Sequence, residues 1–153
     1  MKKQLLLSLL FATVLGTVSA QKVVVRTYVE KTNMSLKTGT AIGFENKFNW
    51  EYGAFFQEAS LMESFMMSKE DLEELPHMYE KDFVGIYFAV PIVSREQYLV
   101  KANVRTGITN GENFVITPSV LADYKPIKHL IIGMGVGVRG LRPTLQASVA
   151  LSF

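Results

Sequence analysis

The sequence predicts an all-β fold in which eight antiparallel strands close into an up-and-down barrel. The first observation is a period-two alternation of apolar and polar residues, which recurs in eight segments and is typical of strands with two different faces. The second is that short polar connectors separate many of these segments. The third is that the less apolar face is rich in glycine and in charges of both signs, which suits a narrow interior. The predicted strands are 23–30, 39–45, 48–57, 83–92, 98–109, 114–124, 129–139 and 144–153.

Composition limits the classes of protein and of site. The chain has 153 residues, of which 48% are hydrophobic and 20% charged, and this fits one folded domain rather than a disordered chain. It contains no cysteine and two histidines. A disulfide framework, a bound metal or cofactor and a lipid-anchored cysteine are therefore not expected. The formal net charge of +2 is too small to indicate binding of nucleic acid.

The first 20 residues predict a cleaved signal peptide. Lys2 and Lys3 precede the apolar run Leu5–Leu15, and residues 18–20 (Val-Ser-Ala) are small or modest where signal peptidase reads the chain. The apolar run is short for a membrane-spanning helix, which needs roughly 20 residues. We therefore expect residues 1–20 to be removed and residues 21–153 to form one exported domain.

Each predicted strand is supported by apolar residues at every second position. The last strand is the clearest, because the apolar residues from Leu145 to Phe153 alternate with small or polar ones such as Gln146 and Ser148. The principal apolar positions of the eight strands, in order, are Val23, Val25, Val29; Ile42, Phe44; Phe48, Trp50, Tyr52, Phe56; Val84, Ile86, Phe88; Tyr98, Val100, Val104; Phe114, Ile116, Val120; Ile132, Met134, Val136; and Leu145, Val149, Leu151.

The connectors predict a barrel with two different ends. Tight turns are expected at Asn46-Lys47, Ser94–Gln97 and Lys125–Lys128, all at one end. We expect the other end to hold the long connections, and its connectors are Lys31–Thr38, Leu61–Asp82, the hairpin signal Asn110-Gly111, and Gly140–Pro143. Leu61–Asp82 contains seven acidic and two basic residues. We expect it to be a long acidic loop with one short helix, which begins near Ser68 and ends before Pro76.

Alternation alone does not say which face lies inside, since a soluble barrel buries its apolar face and a membrane barrel exposes it to lipid. Glycine favours the second arrangement, because eight strands enclose only enough space for side chains and small residues make room for long ones. The glycines on the less apolar face are Gly39, Gly43, Gly53, Gly85, Gly107, Gly133, Gly135 and Gly137. Aromatic residues on the apolar face are candidates for interfacial girdles. These are Phe48, Trp50, Tyr52, Tyr98, Phe114 and Tyr124.

Charges of both signs lie on the same face as the glycines, so they can pair inside a closed lumen, where an unpaired charge is costly. Glu30 lies on this face. The residues that we predict to form a lumen charge network are Arg26, Glu51, Lys101, Arg105, Asp123 and Arg139. Such a network predicts a plugged interior and a structural, non-conducting role.

With these features, the whole chain after residue 20 resembles the small outer-membrane β-barrel proteins of Gram-negative bacteria, of the eight-stranded type. The ending Ala147–Phe153 adds to the resemblance, because the last strand of that family ends in an aromatic residue that the assembly machinery recognises. The resemblance implies that Leu151 and Phe153 form a C-terminal assembly signal. It also implies an outer-membrane location with both termini in the periplasm, and the barrel-assembly machinery and outer-membrane lipid as partners. No motif specifies an extracellular partner.

The sequence contains no arrangement that predicts catalysis, so we expect a non-enzymatic protein. His77 and His129 have no neighbouring nucleophile or orienting acid in the pattern. Methionines in the acidic segment, together with His77, suggest at most a soft-metal site, and methionine is also common apolar filler. The alternative is a soluble exported ligand-binding barrel, either periplasmic or secreted. That function needs an apolar pocket, whereas the predicted interior carries Glu51, Lys101 and Arg105.

Overall fold

The computed structural model describes residues 22–32, 36–59 and 82–153 and shows a closed barrel of eight strands. Each strand pairs antiparallel with its neighbours in sequence, and β1 pairs with β8 to close the barrel. The strands are Lys22–Thr32 (β1), Leu36–Glu45 (β2), Glu51–Ala59 (β3), Asp82–Ser94 (β4), Tyr98–Thr109 (β5), Asn113–Ile127 (β6), Leu130–Arg139 (β7) and Arg142–Ser152 (β8). The predicted eight-stranded antiparallel barrel is confirmed.

Several predicted features lie outside the described residues. They are the signal peptide at 1–20, the acidic loop with its helix between Ser68 and Pro76, and the cluster around His77. Within the part of the chain that the structure describes, no helix is long and apolar enough to cross a membrane.

The two ends of the barrel differ in what they carry. One end, which we call the base, holds both ends of the described chain, since the backbone N–H and C=O of Val23 bond those of Phe153 at 3.0 and 2.9 Å. The base also carries the turns between β2 and β3, between β4 and β5 and between β6 and β7. The opposite end, which we call the rim, carries the other four connections.

The predicted contrast in connector length is correct for only one rim connection. Residues 60–81 join β3 to β4, whereas three residues join β1 to β2 and two join β7 to β8. The predicted loop bounds Lys31–Thr38 are wrong, because β1 continues to Thr32 and β2 begins at Leu36. The Asn110-Gly111 signal does form a tight hairpin turn, and both residues have positive φ, 53° and 73°.

Strand three begins at Glu51 rather than at Phe48, because the preceding turn is organised by one asparagine side chain. Asn46 Oδ1 accepts hydrogen bonds from the backbone N–H of Phe48 at 2.9 Å and of Trp50 at 3.1 Å. Asn49 has φ of 61°, a conformation that asparagine tolerates and most residues avoid. These residues form the turn and are not available to the strand.

Strand six is longer than predicted and contains an irregularity. The β6–β7 pairing shifts register between Tyr124 and Ile127, so the alternation breaks while the strand continues. The turn, predicted at Lys125–Lys128, therefore consists of Lys128 and His129 only. His129, predicted to begin strand seven, lies in this turn with its Nδ1 2.7 Å from the carbonyl oxygen of Ser152.

Candidate functional site

The interior next to the base contains a layer of paired charges, which we call the base layer. Its members come from five strands: Arg26, Glu45, Glu51, Lys101, Asp123 and Lys125. Arg26 makes a two-pronged contact with Asp123, Nη1 to Oδ1 and Nη2 to Oδ2, each at 2.9 Å. This is the geometry in which a guanidinium binds a carboxylate most strongly.

Glu51 is the centre of the base layer. Its Oε2 lies 2.6 Å from Lys101 Nζ and 3.4 Å from Arg26 Nη2, and its Oε1 accepts a hydrogen bond from the Tyr87 hydroxyl at 2.9 Å. Lys101 also lies 3.3 Å from Glu45 Oε2. Glu51 and Lys101 are almost completely buried, so these charges depend on one another rather than on water.

Glycine on β7 makes room for the base layer. A Cβ at Gly133 would clash with Asp123 Oδ1 and Ser148 Oγ and would crowd Arg26 Nη1. Ser148 Oγ itself accepts a hydrogen bond from Arg26 Nη1 at 2.9 Å. A side chain at position 133 would therefore occupy the volume in which the ion pair forms.

At five other inward positions, glycine is needed for different steric reasons. A Cβ at Gly39 or Gly43 would meet the ring or hydroxyl of an inward tyrosine. At Gly53, Gly85 and Gly107 the obstacle is the backbone of the neighbouring strand. Glycine there permits close approach of two strands rather than making room for a charged side chain.

A second set of charges, which we call the rim layer, lies farther along the lumen. Glu30 pairs with Arg105 and lies 3.0 Å from Arg139 Nη2, so one carboxylate serves two guanidinium groups. Arg139 Nη2 also donates to Gln57 Oε1 at 2.6 Å. Lys37 is buried and lies opposite Glu30 in the β1–β2 register, which adds a third cation to this layer.

Aromatic side chains pack around the rim-layer guanidinium groups. The Phe55 and Phe83 rings meet edge to face at 4.7 Å. The Arg139 guanidinium carbon lies 4.5 Å from the centre of the Phe83 ring, and that of Arg105 lies 5.1 Å from the Tyr28 ring. Together with Ala41 and Tyr87, these rings form a buried cluster. The inward side chains of the described residues thus include two groups of paired charges, with aromatic rings packed beside the second group.

The structure places all six predicted lumen residues inside the barrel and divides them between the two layers. Arg26, Glu51, Lys101 and Asp123 meet in the base layer, whereas Arg105 and Arg139 meet around Glu30. Arg105 therefore pairs with Glu30 rather than with Glu51. Sequence analysis missed Glu45, which lies on the inward face of its strand, and Lys125, which lies in the irregular part of β6.

The outer surface of the barrel is apolar. Outward positions in the described strands carry charge at Lys31, Glu58 and Asp82, each within two residues of the rim end of its strand. Elsewhere large hydrophobic side chains stand exposed, for example Met134 at 71% and Ile86 at 64%. One such residue from each strand is Val29, Ile42, Phe56, Ile86, Val104, Ile116, Met134 and Leu145.

Aromatic residues of the outer surface are concentrated near the base. Tyr98 and Tyr124 stack at 4.9 Å, and Trp50 meets Phe88 edge to face at 5.7 Å. Of the predicted girdle residues, Phe114 lies instead at the rim end of β6. Leu151 and Phe153, predicted to form an assembly signal, both point outward at the base and are 46% and 67% exposed.

Of the two histidines, the structure describes His129. The Nδ1 of His129 faces a backbone carbonyl oxygen. Within residues 22–32, 36–59 and 82–153, no group of three or more His, Asp or Glu side chains is placed to hold a metal ion. Arg26, Lys101, Arg105 and Arg139 pair with buried carboxylates, which offsets part of the cost of burying these charges.

Comparison with known proteins identifies the fold. No family model and no curated protein matches the sequence. Among solved structures, a designed transmembrane β-barrel matches with a TM-score of 0.66 and 7% identity, over 86% of this chain and 95% of that chain. Neisserial surface protein A matches at 0.41 and 7% identity, over 86% and 94% of the two chains. The KdgM porin, solved with oligogalacturonate, matches at 0.38 and 10% identity, over 86% and 99%.

The chain thus has the fold of an eight-stranded transmembrane β-barrel. At this level of identity, the likeness establishes the fold only, and any argument about function has to start from the side chains.

Proposed function

We propose that the protein is an integral outer-membrane barrel with a plugged lumen, and that its role is structural or depends on surface contacts rather than on catalysis or conduction. The outer surface supports this most directly. A continuous apolar surface around all eight strands is far larger than the patches that soluble proteins expose to water. A bilayer covers such a surface, and the apolar band of bacterial barrels is about 25 Å tall.

The interior supports the same proposal and disfavours the soluble ligand-binding barrel. A soluble carrier for an apolar ligand needs an apolar pocket inside and polar side chains outside. Here the inward positions hold charged residues such as Glu51, Lys101 and Arg105. These residues pair across the lumen, which supports the proposal that the protein does not act as a general diffusion pore.

Membrane fractionation tests the location. We expect the protein in the outer-membrane fraction, released by detergent and not by high salt or alkaline carbonate. On a gel run without boiling, the folded barrel should migrate differently from the boiled chain. Recovery in the periplasmic or culture fluid without detergent would favour the soluble barrel instead.

A surface-labelling experiment tests the proposed topology, in which both termini face the periplasm and residues 60–81 face outward. In bacterial barrels short turns face the periplasm and longer loops face the outside. An epitope inserted beside Glu73 should bind antibody on intact cells. The same epitope inserted at Lys47, in the β2–β3 turn, is the matched control and should be labelled only after permeabilisation. The reverse pattern would invert the topology.

Deletion of Phe153 tests the proposed assembly signal. The side chain is 67% exposed, so its loss costs well under the ~1.5–3 kcal/mol of a fully buried side chain, and the two backbone hydrogen bonds to Val23 that the deletion also removes are worth about 0.5–1.5 kcal/mol each. We expect purified truncated protein to fold in detergent, while its level in the outer membrane of cells falls several-fold. Phe153→Tyr, which keeps an aromatic terminus, should insert at the parental level. Unchanged membrane levels of the truncated chain would contradict the role of this residue.

A further inference from the structure

The outer surface of the barrel carries a groove across β6, β7, β8 and β1, which lies toward the rim end of β1 and β8. Its volume of about 470 Å³ falls within the range of sites that hold organic ligands, about 300–1,000 Å³. Gly135 and Gln146 line it, although both belong to the inward faces of their strands. The floor of the groove is therefore the backbone of the sheet, exposed between outward side chains.

Two outward alanines open this groove. In the strand register Ala147 lies between Val29 and Met134. Ala122 lies opposite Met134 on its other side. Because the Cβ atoms of opposite residues are about 4.5–5.5 Å apart, an alanine beside a large side chain leaves a depression. The next outward row toward the base has no such gap, since it consists of Thr27, Val149, Ile132 and Tyr124.

A single charge stands at the rim end of the groove. Lys31 lines the groove, is exposed, and is the one charged residue among the outward positions of these four strands as the structure describes them. The outward acids Glu58 and Asp82 belong to β3 and β4, on the opposite side of the barrel. The described outward surface around Lys31 thus offers it no carboxylate, and an occupant with an anionic group complements it.

The height of Lys31 on the barrel fits a lipid head group. Lys31 is eight residues beyond Val23, which lies at the base, and this corresponds to about 26 Å along the strand. With a strand tilt of about 40°, the distance along the membrane normal is roughly 20 Å, close to the ~25 Å height of the apolar band. A lysine near that boundary extends its ammonium group into the head-group region while its methylenes cover apolar surface.

A second copy of the chain suits this groove poorly. A two-fold dimer brings the same patch of both copies together, so two Lys31 side chains would approach each other beside an apolar contact, where like charges repel. A lipid instead supplies an acyl chain for the apolar floor and an anionic phosphate for the lysine. We propose that the groove binds one acyl chain of a phosphorylated membrane lipid whose phosphate pairs with Lys31. This inference rests on the proposed membrane location.

Lipid binding to the purified barrel in detergent tests the inference. The probes are dimyristoyl phosphatidylglycerol, which is anionic, and dimyristoyl phosphatidylcholine, which has the same chains and phosphate but carries a compensating cation. Native mass spectrometry counts the lipids that remain bound across a titration. We expect one saturable phosphatidylglycerol site, with a Kd about fivefold below that of phosphatidylcholine, the usual effect of one lysine near an anionic lipid.

Two variants separate the charge from the groove. Lys31→Gln should raise the phosphatidylglycerol Kd about fivefold, to that of phosphatidylcholine, and leave the latter unchanged. Ala147→Leu fills the depression beside Met134 and should raise the Kd of both lipids by tenfold or more. Ala54→Leu makes the same change at an exposed outward position of β3, on the opposite side of the barrel, and should bind both lipids as the parent does.

Equal affinity of the parent for the two lipids would overturn the role of Lys31, and unchanged affinity in Ala147→Leu would overturn the groove as the site. If Ala147→Leu dissociates a dimer, measured by light scattering, while lipid binding stays parental, the occupant is a second copy and the inference is wrong. An outer-membrane barrel without a saturable lipid site would contradict this inference alone. Recovery of the protein without detergent would instead contradict the proposed location.

Discussion

Replacing Glu51 with alanine should lower the free energy of unfolding by about 3–5 kcal/mol, the usual cost of removing one partner from a buried ion pair. Glu51 is 2% exposed and contacts Lys101, Arg26 and the Tyr87 hydroxyl. The substitution leaves two buried cations short of a carboxylate and one hydroxyl without an acceptor. Urea unfolding in detergent micelles, followed by the fluorescence of Trp50, the single tryptophan, measures the change.

Two matched controls separate loss of the ion pairs from general damage to β3. Glu58→Ala removes the same side chain from an exposed position of the strand and should change the free energy by less than about 0.5 kcal/mol. Tyr52→Leu alters the outward neighbour and should cost no more than its contact with Phe44, about 0.5–1.5 kcal/mol. If Glu51→Ala is as stable as the parent, Lys101 and Arg26 are not left buried and unpaired by the substitution, and the proposed plug loses its main support.

Replacing Gly133 with valine should be at least as damaging, with an expected loss of about 3 kcal/mol or more. The new side chain occupies the space of Asp123 Oδ1, Ser148 Oγ and Arg26 Nη1, so it separates a buried ion pair and also overpacks the lumen. The same urea titration measures the loss.

Met134→Val is the control for Gly133→Val, because it introduces the same residue at the next position of β7. Met134 points outward and is 71% exposed, so we expect little effect on stability. Gly133→Val combined with Ser148→Gly should recover part of the stability, since it removes one of the atoms that the new side chain meets. Equal stability of Gly133→Val and the parent would mean that the lumen is looser than the structure indicates.

The sequence predicted the strands and their faces well because both depend on local geometry. A pleated strand turns successive side chains to opposite sides, so alternation as clear as that from Leu145 to Leu151 identifies the strand and its phase. Predictions failed where local chemistry interrupts the alternation. The Asn46 side chain bonds to the backbone and delays β3, and a register shift after Tyr124 lengthens β6 past the expected turn. The prediction of a loop at Lys31–Thr38 failed because polar residues at both of its ends belong to β1 and β2.

Composition of the faces was enough to predict what lies inside, but it did not predict which charges meet. Gly133 and Asp123 both belong to the less apolar face, and that placement follows from alternation. The pairing of Arg26 with Asp123 joins residues that are 97 positions apart on β1 and β6. No local pattern contains this information, because it depends on how far each strand is staggered when the barrel closes.

Taken by itself, the sequence determined the number of strands, the phase of each one and the chemical character of the two surfaces, because period-two patterning acts residue by residue. Only the tertiary structure decided that the lumen charges form two layers, with Arg105 joined to Glu30 and not to Glu51. The same closure set a small cavity between those layers. The physical reason is that contacts across a closed barrel are set by strand stagger and tilt, which are properties of the whole sheet and not of any one strand.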